Sequence, residues 1–195
     1  MKIDASKIKE LREKTGLSVI ECKNALEEAN GDINKAIEIL KKRGLEISEK
    51  KSSKEVKEGL IGSYVHTNGK VGVLIEVNCE TDFVAKNSEF EELVKNLCLQ
   101  IAAMKPTWID VDSIPEEILK EKIEEIKSQY KDKPQNVLEK IIEGKLEDFY
   151  KEKVLLKQSF IKDEQITIEE YIKSKIAKLG ENIKVKRFVR FEIGE

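Results

Sequence analysis

The pattern that most limits how this chain can fold is a change of hydrophobic period within a few residues. Over 71–77 apolar residues recur at every second position, so Val71, Val73, Ile75 and Val77 share one face. Over 90–104 they recur at helical spacing: Phe90, Leu93, Val94, Leu97, Cys98, Ile101 and Met104. The first stretch reads as a half-buried strand, the second as an amphipathic helix that packs across it. Between them lies Asn78-Cys79-Glu80-Thr81-Asp82-Phe83-Val84-Ala85-Lys86-Asn87-Ser88, a short polar connector with one large aromatic, Phe83. Such an aromatic either plugs its own core or probes a partner, and pattern alone leaves both readings open.

The neighbouring segments extend this unit. Residues 60–66 and 71–77 form a hairpin, with Asn68-Gly69 supplying the φ > 0 pair favoured in two-residue turns. Ser88-Glu89-Phe90-Glu91 has the form of a capping box opening the helix, and Lys105-Pro106 ends it. Near the end of the chain Ile183, Val185, Val189, Phe191 and Ile193 alternate with Lys184, Lys186, Arg190 and Glu192, leaving Phe188 on the polar face. This last strand pairs with the hairpin to give a three-stranded antiparallel sheet. One helical layer covers one face of it, and self-association is a way to cover the other.

Ahead of the hairpin, residues 1–44 read as three short helices. Asp4 caps the first, which carries Ile8 and Leu11 and stops at Thr15-Gly16. Ser18 and Glu21 form a capping box for the second, whose inner face is Cys22, Ala25, Leu26 and Ala29. Asn30-Gly31 is a turn, and Asp32 caps a third helix with Ile33, Ala36, Ile37 and Leu40, with Gly44 just past its end. Residues 45–57 are Lys, Glu and Ser: a solvated linker or a continuing helix, and a domain boundary. Beyond the central helix, Pro115 opens one helix and Pro134 another that Gly144 stops, while Leu146, Phe149 and Tyr150 lie on a third. The stretch 155–161 lacks helical periodicity and reads as an extended surface segment. Thr167 to Glu170 is a further capping box, for a helix holding Ile172, Ile176 and Leu179 and ending at Gly180. The fold class is therefore α+β: a three-helix N-terminal domain over 1–50, then a core over 51–195 built on a small three-stranded sheet packed with helices.

Composition bounds the function classes. Thirty-six basic residues nearly balance thirty-eight acidic ones in 195 residues, with no basic stripe, which argues against a phosphate-binding role on nucleic acid. No apolar run approaches the roughly 20 residues of a membrane span, and the first residues hold no signal-peptide core. Cys22, Cys79 and Cys98 lack CxxC spacing and read as reduced cytoplasmic thiols, without a disulfide framework or zinc site. The one histidine, His66, has no nucleophile or metal partner implied by spacing. No phosphate-binding, zinc-protease or serine-nucleophile motif occurs. The chain reads as a device for contacting another macromolecule, with no covalent chemistry of its own.

Four stretches, in order along the chain, resemble the bacterial elongation factor Ts family. They are Leu11 to Gly16 with Cys22-Lys23-Asn24-Ala25-Leu26 and Asn30-Gly31-Asp32; Val77 to Asn87; Ile142-Glu143-Gly144-Lys145-Leu146; and Gly180-Glu181-Asn182-Ile183 running into Arg187-Phe188. The resemblance implies a guanine nucleotide exchange factor for elongation factor Tu. Residues 1–50 would be its ubiquitin-associated-like (UBA-like) domain that docks on the G domain. Thr81, Asp82, Phe83 and Val84 would disturb the partner's magnesium site, with Phe83 entering an apolar pocket between two helices. The magnesium and the GDP or GTP would belong to the partner, so no cofactor is expected here. Leu17-Ser18-Val19-Ile20 stands where many members carry Ala-Gly-Met-Met. The chain resembles the short members, which lack a duplicated core half and a coiled-coil insertion, and a homodimer is expected to stand in for them.

Overall fold

A computed structural model describes residues 3–194; the outermost residues of the two expected domains, Met1, Lys2 and Glu195, lie outside the described residues. The described chain is α+β and falls into two compact units. Among the described residues, one comprises 3–59, 78–91 and 172–184, the other 60–77, 92–171 and 185–194.

In the first unit, helices α1 (Ala5–Thr15), α2 (Val19–Glu28) and α3 (Ile33–Lys51) pack around Leu11, Cys22, Ala25, Leu26, Ala29, Ala36 and Leu40. Each is started by the residue expected. The Asp4 side chain accepts from the Ser6 N–H, Ser18 and Glu21 close a complete capping box, and Asp32 accepts from the Lys35 N–H. Asn30 and Gly31 both take positive φ, 52° and 80°, which turns the chain from α2 into α3. Helix α3 does not stop at Gly44. It runs on to Lys51, with Gly44 buried in its interior, where a Cβ would meet Ala177 Cβ at 3.4 Å. The glycine there serves a close helix approach, and the helix continues through its propensity cost of about 1 kcal/mol.

The second unit is organised on the greater part of strands β1 (Glu58–Val65), β2 (Val71–Cys79) and β5 (Ile183–Glu192), a three-stranded antiparallel sheet in the order β1-β2-β5. The hairpin turn is not a two-residue one. His66 N–H donates to Val71 O at 2.8 Å and Gly69 N–H to His66 O at 2.7 Å. That leaves a four-residue loop in which Gly69 alone has positive φ. Helix α5 (Ser88–Met104) buries the expected stripe, from Phe90 through Ile101, while Met104 at its end is exposed. It lies tight against the sheet: a Cβ on Gly62 would meet Val94 Cγ1 at 2.4 Å and Cys98 Sγ at 3.0 Å. Lys105 then takes φ 50° and Pro106 prevents continuation.

Strand β5 departs from the expected alternation. Ile183 is buried, but Lys186 and Arg187 are exposed in succession, and after them the phase is reversed. One extra residue in a strand has this effect. Phe188, expected on the polar face, is half-buried, and Val189, Phe191 and Ile193 are exposed. Arg190 and Glu192 point inward. The Arg190 guanidinium donates to Ala102 O at 3.4 Å, in the last turn of α5, and to the Glu192 carboxylate. A cation is favoured at a helix C-terminus, so this inward arginine is satisfied. Lys105 Nζ also reaches Glu192 at 2.6 Å, and hydrogen bonds from Lys105 and Arg190 hold that carboxyl down at about 2.

Helices α6 (Glu116–Gln129) and α7 (Gln135–Lys153) pack against each other. Gly144 does not stop α7, which absorbs the expected third helix as well; a Cβ there would meet no atom within 4 Å, so the position is an open helix surface. The stretch 155–161 is not a surface segment. Leu155, Gln158 and Phe160 are buried, and Gln158 can be so because its amide is satisfied by Met104 O, Glu152 O and the Gln100 side chain. It leads into an unforeseen two-stranded ribbon, β3 (Ser159–Phe160) with β4 (Asp163–Thr167), in which Phe160 stacks on Tyr171 at 4.3 Å. Helix α8 (Ile168–Leu179) starts at the expected Thr167–Glu170 capping box. No helix of the described residues is long and apolar enough to cross a membrane.

Candidate partner-binding site

The connector after β2 is not an irregular loop. Asp82–Ala85 forms a single helical turn, α4, with Thr81 as its N-cap at φ −129°, ψ 156°. The Thr81 hydroxyl accepts from the Val84 N–H at 3.4 Å. Backbone bonds from Ala85 to Thr81 O (3.2 Å), Lys86 to Asp82 O (3.1 Å) and Asn87 to Val84 O (2.9 Å) complete the turn. Asn87, rather than Ser88, caps α5: its side chain accepts from the Glu89 N–H at 2.9 Å and its carbonyl from Phe90 N–H. Two helices thus abut with almost no loop between them.

The turn has an anchored side and a free side. Ala85 is buried beneath it and Val84 is half-buried. Cys79, buried at the end of β2, donates its S–H to Thr81 O at 3.2 Å. Burial, then the negative charge of Glu181, pushes its thiol up to about 11, so it stays a protonated donor at neutral pH. On the free side Phe83 is 82% exposed. At that exposure the ring is no plug for its own core. Asp82 is paired with Lys86 at 2.7 Å across one turn. That hydrogen bond holds the Asp82 carboxyl below the usual carboxylate range and raises Lys86. A pair this exposed contributes little to stability and opens readily to a competing partner.

The Glu80–Thr81 backbone is held from the far end of the chain. Glu181, in the turn between α8 and β5, accepts from Glu80 N–H (3.1 Å), Thr81 N–H (3.0 Å) and the Thr81 hydroxyl (2.6 Å). Glu80 in turn accepts from Asn182 N–H at 2.7 Å. In the sequence Glu181 and Asn182 stand out only through the family resemblance. Nothing local in either residue signals a bond to a segment 100 positions away.

Glu89, in the first turn of α5, accepts from Lys175 Nζ at 2.6 Å and Lys178 Nζ at 2.7 Å on α8. These hydrogen bonds, Lys175 first, bring its carboxyl down to about 2 from 4.5. A depressed carboxylate contributes stability that is complete above its unfolded value and lost as pH falls toward its folded one. Resistance to urea is therefore expected to fall between about pH 5 and pH 2, and Glu89→Gln to flatten that fall. An unchanged pH profile of the unfolding midpoint in the variant would remove this triad from the account. The group is about one third exposed, at 31%, so solvent screening keeps the effect modest.

Elsewhere in the first unit, Val19 and Ile20 at the start of α2 are 51% and 71% exposed, in the stretch where the family signature is altered. His66 is exposed and bonds Tyr64 at 2.8 Å. No group of three or more His, Cys, Asp or Glu among the described residues is placed to hold a metal ion.

Comparison with known proteins matches the chain over nearly its whole length. A family model described as elongation factor TS matches residues 3–195. The elongation factor Ts of Fervidobacterium nodosum is 54% identical over 197 residues, covering 100% of both chains. That of Thermosipho melanesiensis is 53% identical over 99% of this chain and 100% of its own, and that of Thermotoga maritima 51% identical over 100% and 98%.

Proposed function

We propose a function from one premise: the chain belongs to the elongation factor Ts family. That family is the nucleotide exchange factor of elongation factor Tu, so this chain is a translation elongation factor with that G protein as its partner. The finer reading is that the α4 turn is its working part. Phe83 enters an apolar pocket between two helices of the partner's G domain. Burying one such ring is worth roughly 1.5–3 kcal/mol, enough to help part helices that carry magnesium ligands. Asp82 exchanges Lys86 for hydrogen bonds on the partner, and Thr81 and Val84 hold the turn's shape against it. With the magnesium disturbed, the grip on the nucleotide phosphates weakens and GDP leaves. By linkage, bound nucleotide weakens the exchange factor in the same ratio, so GTP drives the complex apart again.

The observation that carries this reading is a Phe 82% exposed on a turn whose underside is capped and buried. An exposed aromatic on a loose loop would lose much of its binding energy to ordering; here the ordering is already present. On the same reading residues 1–50 are a UBA-like docking domain, with Val19 and Ile20 as apolar contacts, and residues 51–195 are the core domain. Magnesium and nucleotide belong to the partner, the chain performs no covalent chemistry, and its place of work is the cytoplasm.

The test is release of fluorescent GDP from purified elongation factor Tu at two salt concentrations. Substoichiometric amounts of this protein accelerate release if the reading holds. Binding without acceleration would make it a tether instead. The proposal includes a homodimer. Ile61, Val65, Leu74, Val189, Phe191 and Ile193 leave the sheet face opposite α5 apolar and open, with Phe191 68% and Ile193 74% exposed. Sedimentation equilibrium should give twice the chain mass, and a monomer at every concentration would overturn it.

A further inference from the structure

The family reading gives work to four residues, Thr81 to Val84, but leaves open what aims them. We infer that Glu181 is a positioning residue for exchange, fixing the α4 turn so that Phe83 is presented outward; this rests on the proposed role of Phe83.

Three hydrogen bonds carry the inference. One Glu181 oxygen accepts from the Glu80 and Thr81 N–H groups, at 3.1 and 3.0 Å, where β2 gives way to the turn. Those donors have left the sheet and do not belong to the helical turn, so without the carboxylate they lose this partner. The other oxygen accepts the Thr81 hydroxyl proton at 2.6 Å. A hydroxyl has one proton. With that proton committed to Glu181, only lone pairs remain to face the Val84 N–H, and this is the cap that starts α4. Glu181 therefore orients the cap as well as the backbone before it. A four-residue helix has too little internal hydrogen bonding to hold itself, so its direction depends on such external ties.

Glu181 is itself fixed. The next residue, Asn182, is buried; its N–H donates to Glu80 Oε1 at 2.7 Å, and its amide donates to Lys54 O at 2.8 Å and Ser52 O at 3.3 Å. The turn after α8 thus grips the connector with one residue and the end of α3 with the next. The aim of Phe83 is set within the unit that carries the N-terminal helices.

The experiment is a double-mutant cycle read by stimulated GDP release from elongation factor Tu, with maximal rate and half-saturating concentration measured separately. Glu181→Ala should lower the maximal rate about tenfold while the half-saturating concentration moves less than about threefold. In the Phe83→Ala background the same substitution should cost less than about twofold, because there is no ring left to aim. Glu181→Gln keeps an acceptor for the two N–H groups but cannot take the hydroxyl proton; it should lose about threefold, and it serves where the alanine variant folds poorly. Equal losses with and without Phe83 would overturn the assignment, as would a full maximal rate in both Glu181 variants. If Phe83→Ala itself releases GDP at the normal rate, the proposed role of Phe83 has failed, and this inference with it.

Discussion

Phe83→Ala is expected to lower the rate of GDP release stimulated by this protein by about tenfold or more, yet to leave its own unfolding within about 0.5 kcal/mol of the parent. Both halves follow from one number. A side chain 82% exposed has few intramolecular contacts to lose, so truncation leaves almost no cavity behind. On the proposed reading, what is lost is the ring's burial in the partner, worth roughly 1.5–3 kcal/mol, and each 1.4 kcal/mol is about tenfold in rate if it is expressed in the transition state for release. The measurement pairs stopped-flow GDP release with urea unfolding of the same variant. Normal release would end the wedge mechanism. Slow release together with a large loss of stability would mean that the ring supports its own fold instead.

The same substitution seven residues on has the opposite signature. Phe90 is fully buried in the first turn of α5. Phe90→Ala should cost about 3–5 kcal/mol of stability, the transfer energy of the ring plus the cavity it leaves. The urea midpoint would drop accordingly, while the fraction still folded at low temperature keeps an intact turn to offer the partner. A loss below about 1 kcal/mol would show that the neighbourhood collapses to fill the space. Run side by side, the two variants separate the residue that holds the protein together from the one proposed to act on another.

Much of the architecture was legible in the sequence because it is written in short-range chemistry. The caps at Asp4, Ser18, Asp32 and Thr167 act over two or three residues, and all four form. The period of 3.6 from Phe90 to Ile101 sits in one helix, and all seven of its apolar positions but Met104 are buried. Misreadings arose where a local rule met a tertiary contact. Gly44 has the look of a helix stop, but Ala177 packs against it. Gly144 does not break α7, since one glycine costs about 1 kcal/mol and a 19-residue helix carries it. The alternation in β5 slips between Val185 and Phe188, and no side chain announces it. The α4 turn escaped detection because four residues are too few to show a period, although Thr81 followed by Asp82 is a legible start signal.

At the connector the sequence by itself determined the ingredients: a strand through Val77, a threonine able to cap, one aromatic in a short polar connector, and a helix opening at about Ser88. Each depends on interactions within a few residues, so each can be read in order. Only the tertiary structure decided that Phe83 faces outward and that Glu181 holds the turn that bears it. Those outcomes depend on which groups meet across 100 residues of chain, and local propensity carries no information about such meetings.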